Sequence, residues 1–88
     1  MTSTVQIPNR LGMHARAAAK LVNLAARYEA RIQVEKDGQK ADAKSIMGVL
    51  LLCGHQGAEI TIRAQGRDAG DAVSALTQLV QDGFGEGS

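Results

Sequence analysis

Residues 12–28, GMHARAAAKLVNLAARY, form the stretch that decides the fold of this 88-residue chain. Apolar residues recur in it with the spacing i, i+3, i+4, i+7 of an amphipathic helix, at Ala18, Leu21, Val22 and Ala25. The polar side chains of the same segment fall on the opposite face. We therefore predict a helix from Arg16 to about Tyr28, with its first turn beside His14.

The junction between turn and helix is suited to an anion. The first N–H groups of a helix have no partner inside it, and the macrodipole is positive at that end. A phosphate on His14 would meet the N–H groups of Ala15 and Ala17, and Arg16 would add a permanently charged fork. A lone histidine is by default an ordinary side chain, but its place at a helix start, after Gly12, favours the functional interpretation.

Alternating apolar and polar residues predict four strands outside this helix. The first covers residues 3–8, the second contains Ile32 and Val34, the third covers residues 40–43 and the fourth contains Ile60, Ile62 and Ala64. Asp37-Gly38 is a strong hairpin signal between the second and third strands.

Two further helices complete the predicted order of elements. Ser45 is placed to cap a short apolar helix over residues 46–53. Asp68 and Asp71 resemble a capping pair at the start of a final helix. The apolar face of that helix comprises Ala72, Leu76, Leu79, Val80 and Gly83. The glycine-rich tail, residues 83–88, is expected to be frayed.

The predicted order is βαββαβα, which makes the chain an α+β protein. At 88 residues it is one domain, residues 1–88, with a modest core. Each strand offers one apolar face and each helix one apolar stripe. A four-stranded antiparallel sheet with the three helices on one face buries both and leaves the other face of the sheet in water.

Composition excludes several classes of function. Ten basic and nine acidic residues give a net charge of +1, which supplies no broad field for nucleic acid or an anionic membrane. Only two aromatic residues, Tyr28 and Phe84, are present, so base-stacking surfaces are excluded. No signal peptide or membrane-spanning run is recognised, and we expect a cytoplasmic protein. The single cysteine, Cys53, is predicted to be a buried thiol.

No pattern of residues indicates hydrolysis, a metal or a cofactor. His55 has no acidic or cysteine neighbours at metal-ligand spacing, and we interpret it as a solvated loop residue. Ser-His-Asp ordering, paired carboxylates and glycine-rich nucleotide loops are all missing from the sequence. We expect no metal and no cofactor.

Two motifs at matching separation give this chain a specific resemblance. Gly-Met-His-Ala-Arg at residues 12–16, followed by Ala-Lys-Ser-Ile-Met-Gly-Val at residues 43–49, resembles the HPr family, the histidine-containing phosphocarriers of the bacterial phosphotransferase system. The resemblance covers nearly the whole chain and implies an open-faced β-sandwich. It also implies a carrier rather than a turnover enzyme. His14 would take a phosphoryl group from phosphoenolpyruvate-dependent enzyme I and pass it to enzyme IIA-type domains, with Arg16 stabilising the phosphate.

Ser45 carries a second hypothesis besides capping. The resemblance implies that HPr kinase/phosphorylase phosphorylates this serine as a regulatory switch, and the two roles are compatible. An apolar docking patch for partner proteins is predicted from Met13, Ile46, Met47 and Leu50. For Ile46 and Leu50 a role in the core is at least as good an explanation. We expect the protein to be a monomer.

One departure from the family pattern keeps alternatives open. The family usually has proline directly after the arginine, whereas this chain has Ala17. An alternative function is therefore a regulatory binding module that acts through Ser45 phosphorylation or docking, without phosphotransfer by His14. A third is a generic α/β domain in which both motifs are coincidental. The sequence also leaves open whether the chain belongs to the sugar-transport or the nitrogen-related (NPr) branch.

Overall fold

A computed structural model of the chain describes residues 1–52 and 54–85. Its elements follow the predicted order βαββαβα and end in a short 3₁₀ turn. In chain order they are β1 (Thr2–Gln6), α1 (Ala15–Ala25), β2 (Arg31–Lys36), β3 (Gln39–Asp42), α2 (Ile46–Leu52), β4 (Glu59–Gln65), α3 (Ala69–Gln81) and the turn Gly83–Gly85. Helix α1 ends three residues before the predicted Tyr28.

The four strands form one antiparallel sheet with the order β1-β4-β2-β3. The register places Val5 opposite Ile60 and Val34 opposite Ile62. Because side chains alternate along a strand, these apolar residues share one face, and they are buried in the aliphatic core beneath the helices. The α+β fold, an open-faced β-sandwich with three helices on one face, is thereby confirmed.

The hairpin between β2 and β3 follows the sequence signal. Asp37 and Gly38 both have positive φ angles, 52° and 82°, as a two-residue type I′ turn requires. The flanking residues Lys36 and Gln39 pair directly. Asp37-Gly38 therefore fixes the register of the edge strand.

The prediction of a frayed tail from Gly83 onward is wrong for residues 83–85. Phe84 is fully buried and adopts a left-handed conformation with φ of 57°. Lys20 on α1 donates a hydrogen bond through Nζ to the Phe84 carbonyl oxygen at 2.6 Å. Burial of the large aromatic side chain outweighs the freedom of its glycine neighbours. Residues 86–88, and the predicted buried thiol of Cys53, lie outside the described residues.

Asp68 stands at the N-cap position of α3, but its carboxylate does not cap the helix. The two carboxylate oxygens instead accept hydrogen bonds from the backbone N–H groups of Glu29 and Ala30, each at 2.8 Å. These bonds, that from Glu29 foremost, hold the pKa of Asp68 below its ordinary value. The predicted capping pair is thus corrected: Asp68 ties the loop before β2 to the start of α3.

In residues 1–52 and 54–85, no helix has the length and apolar character needed to cross a bilayer. The same residues contain no group of three or more His, Cys, Asp and Glu side chains placed to hold a metal ion.

Candidate functional site

The loop before α1 is built around Gly12. Its φ of +65° is readily adopted only by glycine, and a Cβ atom there would lie 2.5 Å from the carbonyl oxygen of Gly54. The next residue, Met13, donates its N–H to the same oxygen at 2.7 Å. The loop therefore lies directly against the segment that follows α2, and no larger residue fits at position 12.

His14 occupies the N-cap position of α1. Its backbone is extended, with φ of −87° and ψ of 178°, and its carbonyl oxygen accepts the first helical hydrogen bond, from Ala18 N–H at 2.8 Å. The His14 side chain is partly exposed and does not cap its own helix. The imidazole thus stands at the positive end of α1, as the sequence predicts.

The first turn of α1 supplies hydrogen-bond donors next to His14. The N–H groups of Ala15, Arg16 and Ala17 precede the first helical bond, so the helix itself offers them no carbonyl. Ala15 and Arg16 are exposed, whereas Ala17 is fully buried. Of the two residues predicted to cradle a phosphate, Ala15 is therefore the accessible one. This turn also lacks a carboxylate that would compensate its positive charge.

Ser45 caps α2, as predicted. The N–H of Gly48 donates to Ser45 Oγ at 3.1 Å, and the N–H of Val49 donates to the Ser45 carbonyl oxygen at 3.0 Å. The serine is partly exposed, so its hydroxyl combines a structural role with access from solvent. Capping leaves open the second role, phosphorylation, that the family resemblance implies.

The structure revises the predicted docking patch. Met13 is only 7% exposed and belongs to the core, because the hydrogen bond to Gly54 holds this loop residue against the body of the protein. Leu50 is half-buried and packs against the core. Ile46 and Met47 are exposed, Met47 by 68%. Two of the four predicted patch residues are therefore available to a partner.

Two further exposed leucines, one on α2 and one in the loop before α1, were not predicted. Leu51 is 73% exposed and lies four residues after Met47, on the same face of α2. Leu11 is 70% exposed and lies in the loop that contacts Gly54, just beyond the end of α2. We call Leu11, Ile46, Met47 and Leu51 the apolar patch. The i, i+4 spacing within residues 46–52 is the signal that could have identified Leu51.

The second histidine lies apart from these features. His55 is exposed in the connection between α2 and β4, as the sequence predicts. Its backbone borders the Gly12 position, with its Cα 2.8 Å from where a Cβ on Gly12 would lie. This proximity gives His55 a steric part in forming the loop before His14.

Comparison with known proteins gives consistent results along the chain. The family model described as "PTS HPr component phosphorylation site" matches residues 1–82. The phosphocarrier protein HPr of Cupriavidus necator is 43% identical over 81 residues, which cover 92% of this chain and 91% of that protein. The phosphocarrier protein NPr of Shewanella violacea is 43% identical over 84 residues, 96% and 92% of the two chains. The crystal structure of HPr-C-His from Thermoanaerobacter tengcongensis superposes with a TM-score of 0.94 at 42% identity, covering 98% and 97% of the two chains.

Proposed function

The chain belongs to the HPr family of phosphocarrier proteins, and from this premise we propose that His14 is the residue that carries the phosphoryl group. The donor is phosphoenolpyruvate-dependent enzyme I and the acceptors are enzyme IIA-type domains. The observation that carries the proposal is the position of His14, partly exposed at the positive end of α1.

The transfer itself is a displacement at phosphorus. An unprotonated ring nitrogen of His14 attacks the phosphoryl group on the donor, and the new N–P bond forms as the bond to the donor breaks. The family resemblance implies that Nδ1 is the nitrogen used. In the second half-reaction the acceptor attacks the same phosphorus and His14 is released unchanged. The protein is thus a stoichiometric carrier, and most of the catalytic machinery belongs to its partners.

Groups near His14 would stabilise the negative charge of a phosphoryl group bound to it. The exposed guanidinium of Arg16 lies two residues along the chain and offers two parallel hydrogen bonds to phosphate oxygens. The N–H of Ala15 adds a donor at the positive end of the helix. These groups stabilise the phosphoramidate only moderately, since a carrier must also release its phosphoryl group.

We further propose that Ser45 is a regulatory site, phosphorylated at the expense of ATP by HPr kinase/phosphorylase. A phosphate at the start of α2 would be tolerated structurally, because it carries acceptor oxygens of the kind that Gly48 N–H already meets. It would place about two negative charges next to Ile46 and Met47 of the apolar patch. Weaker docking of partners with acidic binding surfaces follows.

The test is intact-mass measurement after incubation with enzyme I and phosphoenolpyruvate. The wild type should gain one phosphoryl group that is lost in acid and retained in alkali. His14→Ala should gain none, and His55→Ala, which removes the other histidine, should behave like the wild type. An adduct that survives in His14→Ala, or no adduct on the wild type with a competent enzyme I, would refute the proposal.

The regulatory binding module is the second candidate, and the exposed apolar patch beside Ser45 favours it. It predicts phosphorylation of Ser45 by the kinase and binding of a partner protein, without any adduct on His14. The same mass measurement with kinase and ATP separates the two functions.

We also propose a monomeric cytoplasmic carrier, with its mass in solution checked by light scattering. Because the HPr and NPr relatives are both 43% identical, the branch is best decided by which acceptor domains take the phosphoryl group.

A further inference from the structure

Asn9, in the loop five residues before His14, differs from every other polar residue in the described part of the chain. Among the polar and charged residues of that part of the chain, Asn9 alone is buried, and its burial is complete. An amide in such a place is costly unless its hydrogen bonds are made. The buried Nδ2 group of Asn9 therefore depends on the hydrogen bond that it donates.

Those bonds lead to the candidate phosphorylation site. Asn9 Nδ2 donates to the carbonyl oxygen of Gly12 at 2.9 Å, and the same oxygen accepts the backbone N–H of His14 at 3.0 Å. The N–H of Gly12 in turn donates to the Asn9 carbonyl oxygen at 3.1 Å. A single carbonyl group thus joins the buried amide to the backbone of the residue that is to carry the phosphoryl group.

We propose that Asn9 is a positioning residue for phosphotransfer. By fixing the Gly12 carbonyl it sets the backbone, and with it the side-chain direction, of His14. Attack on phosphorus requires an in-line approach, so a small displacement of the nucleophile slows transfer without removing any reacting group. The inference rests on the proposed function and adds a residue that is remote from the reacting atoms.

Contacts on two sides keep Asn9 and its loop in place. A Cβ atom on Gly83 would lie 3.4 Å from the Cβ of Asn9, so the C-terminal turn closes over the asparagine. Gly12, on the other side, is held against Gly54 and His55. Asn9 and its loop therefore lie between the turn that contains Phe84 and the segment after α2, which limits the movement of the loop.

The decisive variant is Asn9→Asp, which has nearly the same shape. Its carboxylate would turn an acceptor toward the Gly12 carbonyl oxygen, so that repulsion replaces the 2.9 Å hydrogen bond. Asn9→Ala removes the bond without adding charge and serves if the aspartate variant does not fold. Val34→Ala, a truncation of a buried side chain in β2, is the control for lost stability alone.

The experiment measures kcat and KM for each variant as the substrate of enzyme I. Both Asn9 variants should lower kcat by about 10- to 100-fold with KM within about twofold, since α2 and its part of the apolar patch are unchanged. Val34→Ala should leave both constants close to those of the wild type. If the Asn9 variants transfer as fast as Val34→Ala, the positioning role is refuted.

Amide hydrogen exchange of His14 tests the same inference without any partner. Loss of the Asn9 bond should free the Gly12 carbonyl and speed exchange of the His14 N–H at least about tenfold more in Asn9→Ala than in Val34→Ala. Equal exchange in the two variants would overturn the inference. If the wild type takes up no phosphoryl group, the proposed function fails, and the exchange result still decides whether Asn9 holds His14.

Discussion

Helix α1 begins at a histidine whose side chain does not cap it, whereas helix α2 begins at a serine whose hydroxyl binds the N–H of Gly48. Both starts carry the same positive end of a helix dipole and the same surplus of N–H donors. At α2 a side chain of the protein uses one of these donors, whereas at α1 the residues Ala15 and Arg16, whose N–H groups have no helical partner, are exposed. The α2 start is capped by its own side chain, and we propose that the α1 start leaves about 1 kcal/mol of capping energy to a bound phosphate.

Gly12→Ala should have the largest effect, because it removes the turn that allows α1 to begin at His14. The new Cβ would lie 2.5 Å from Gly54 O in a backbone with φ of +65°. We expect a loss of about 3 kcal/mol or more in the free energy of unfolding, measured by urea titration.

Gly38→Ala is the matched control for this change. Gly38 also has a positive φ, +82°, but a Cβ there would meet nothing within 4 Å. It should cost only the backbone strain, about 1 kcal/mol. Equal losses in the two variants would mean that the close approach to Gly54 does not matter.

Arg16→Ala tests whether the start of α1, which has no side-chain cap, acts as an anion site. We expect the rate of phosphotransfer from enzyme I to fall about 100-fold, since a charged donor to the transferring phosphoryl group is lost. Stability should change little, because the side chain is exposed. Arg27→Ala, an exposed arginine just beyond the end of α1, should transfer at the wild-type rate. A fall common to both variants would point to general electrostatic attraction of enzyme I instead.

Ser45→Ala and His14→Ala compare the two helix starts directly. Ser45→Ala should lower the free energy of unfolding by about 1 kcal/mol and leave phosphotransfer unchanged. His14→Ala should abolish transfer and change stability by only a few tenths of a kcal/mol, since its side chain does not cap α1. Urea titration and transfer assays on both proteins check the contrast. Equal destabilisation by the two substitutions would contradict it.

Asp68 extends the comparison to the third helix, where the carboxylate binds a neighbouring loop instead of its own helix. Its pKa is lower in the folded protein than in the unfolded chain. The stabilisation is therefore complete above the unfolded pKa, near 4, and is lost as the pH falls through the folded pKa.

Asp68→Asn should accordingly be less stable than the wild type at pH 7, and the gap in stability should narrow as the pH falls below about 4. Thermal unfolding over this range measures the gap. Glu59→Gln, which removes an exposed carboxylate on β4, controls for the general effect of one charge. A gap that stays constant with pH would rule out a role for the ionised Asp68.

The sequence predicted what depends on local pattern and missed what depends on distant contacts. The α1 start, the Asp37-Gly38 turn and the Ser45 cap follow from residue types at fixed spacing, and the structure has all three. Asp68 was assigned to the wrong partner because its N–H donors lie 38 and 39 residues away in the chain. Phe84 falls in the predicted frayed tail because no local pattern indicates that Lys20 of α1 binds its carbonyl oxygen.

The exposed leucines and the buried asparagine were missed for a related reason. Apolar residues in a short helix such as α2 look alike in sequence, and only packing decides which of them face solvent. In the sequence Asn9 looks like an ordinary loop residue, because it is linked to His14 through the backbone carbonyl group of Gly12, which no sequence pattern indicates. Site residues that act through the backbone are therefore the hardest to predict.

Ala17→Pro, which restores the residue usual in the family, should have the smallest effect. It tests how many N–H groups at the uncapped start of α1 take part in phosphate binding. Because the N–H of Ala17 makes no helical bond, proline removes no hydrogen bond there; it should raise stability by up to about 1 kcal/mol and change the transfer rate less than about threefold. Ala18→Pro, one residue later, removes the N–H that binds His14 O at 2.8 Å and should cost about 3 kcal/mol. A tenfold loss of the transfer rate in Ala17→Pro, with stability retained, would show that the phosphate also binds the N–H of the buried Ala17. The uncapped start of α1 would then offer three donors to the phosphate instead of two. Because Ala17 is buried, phosphorylation would have to move the first turn of α1.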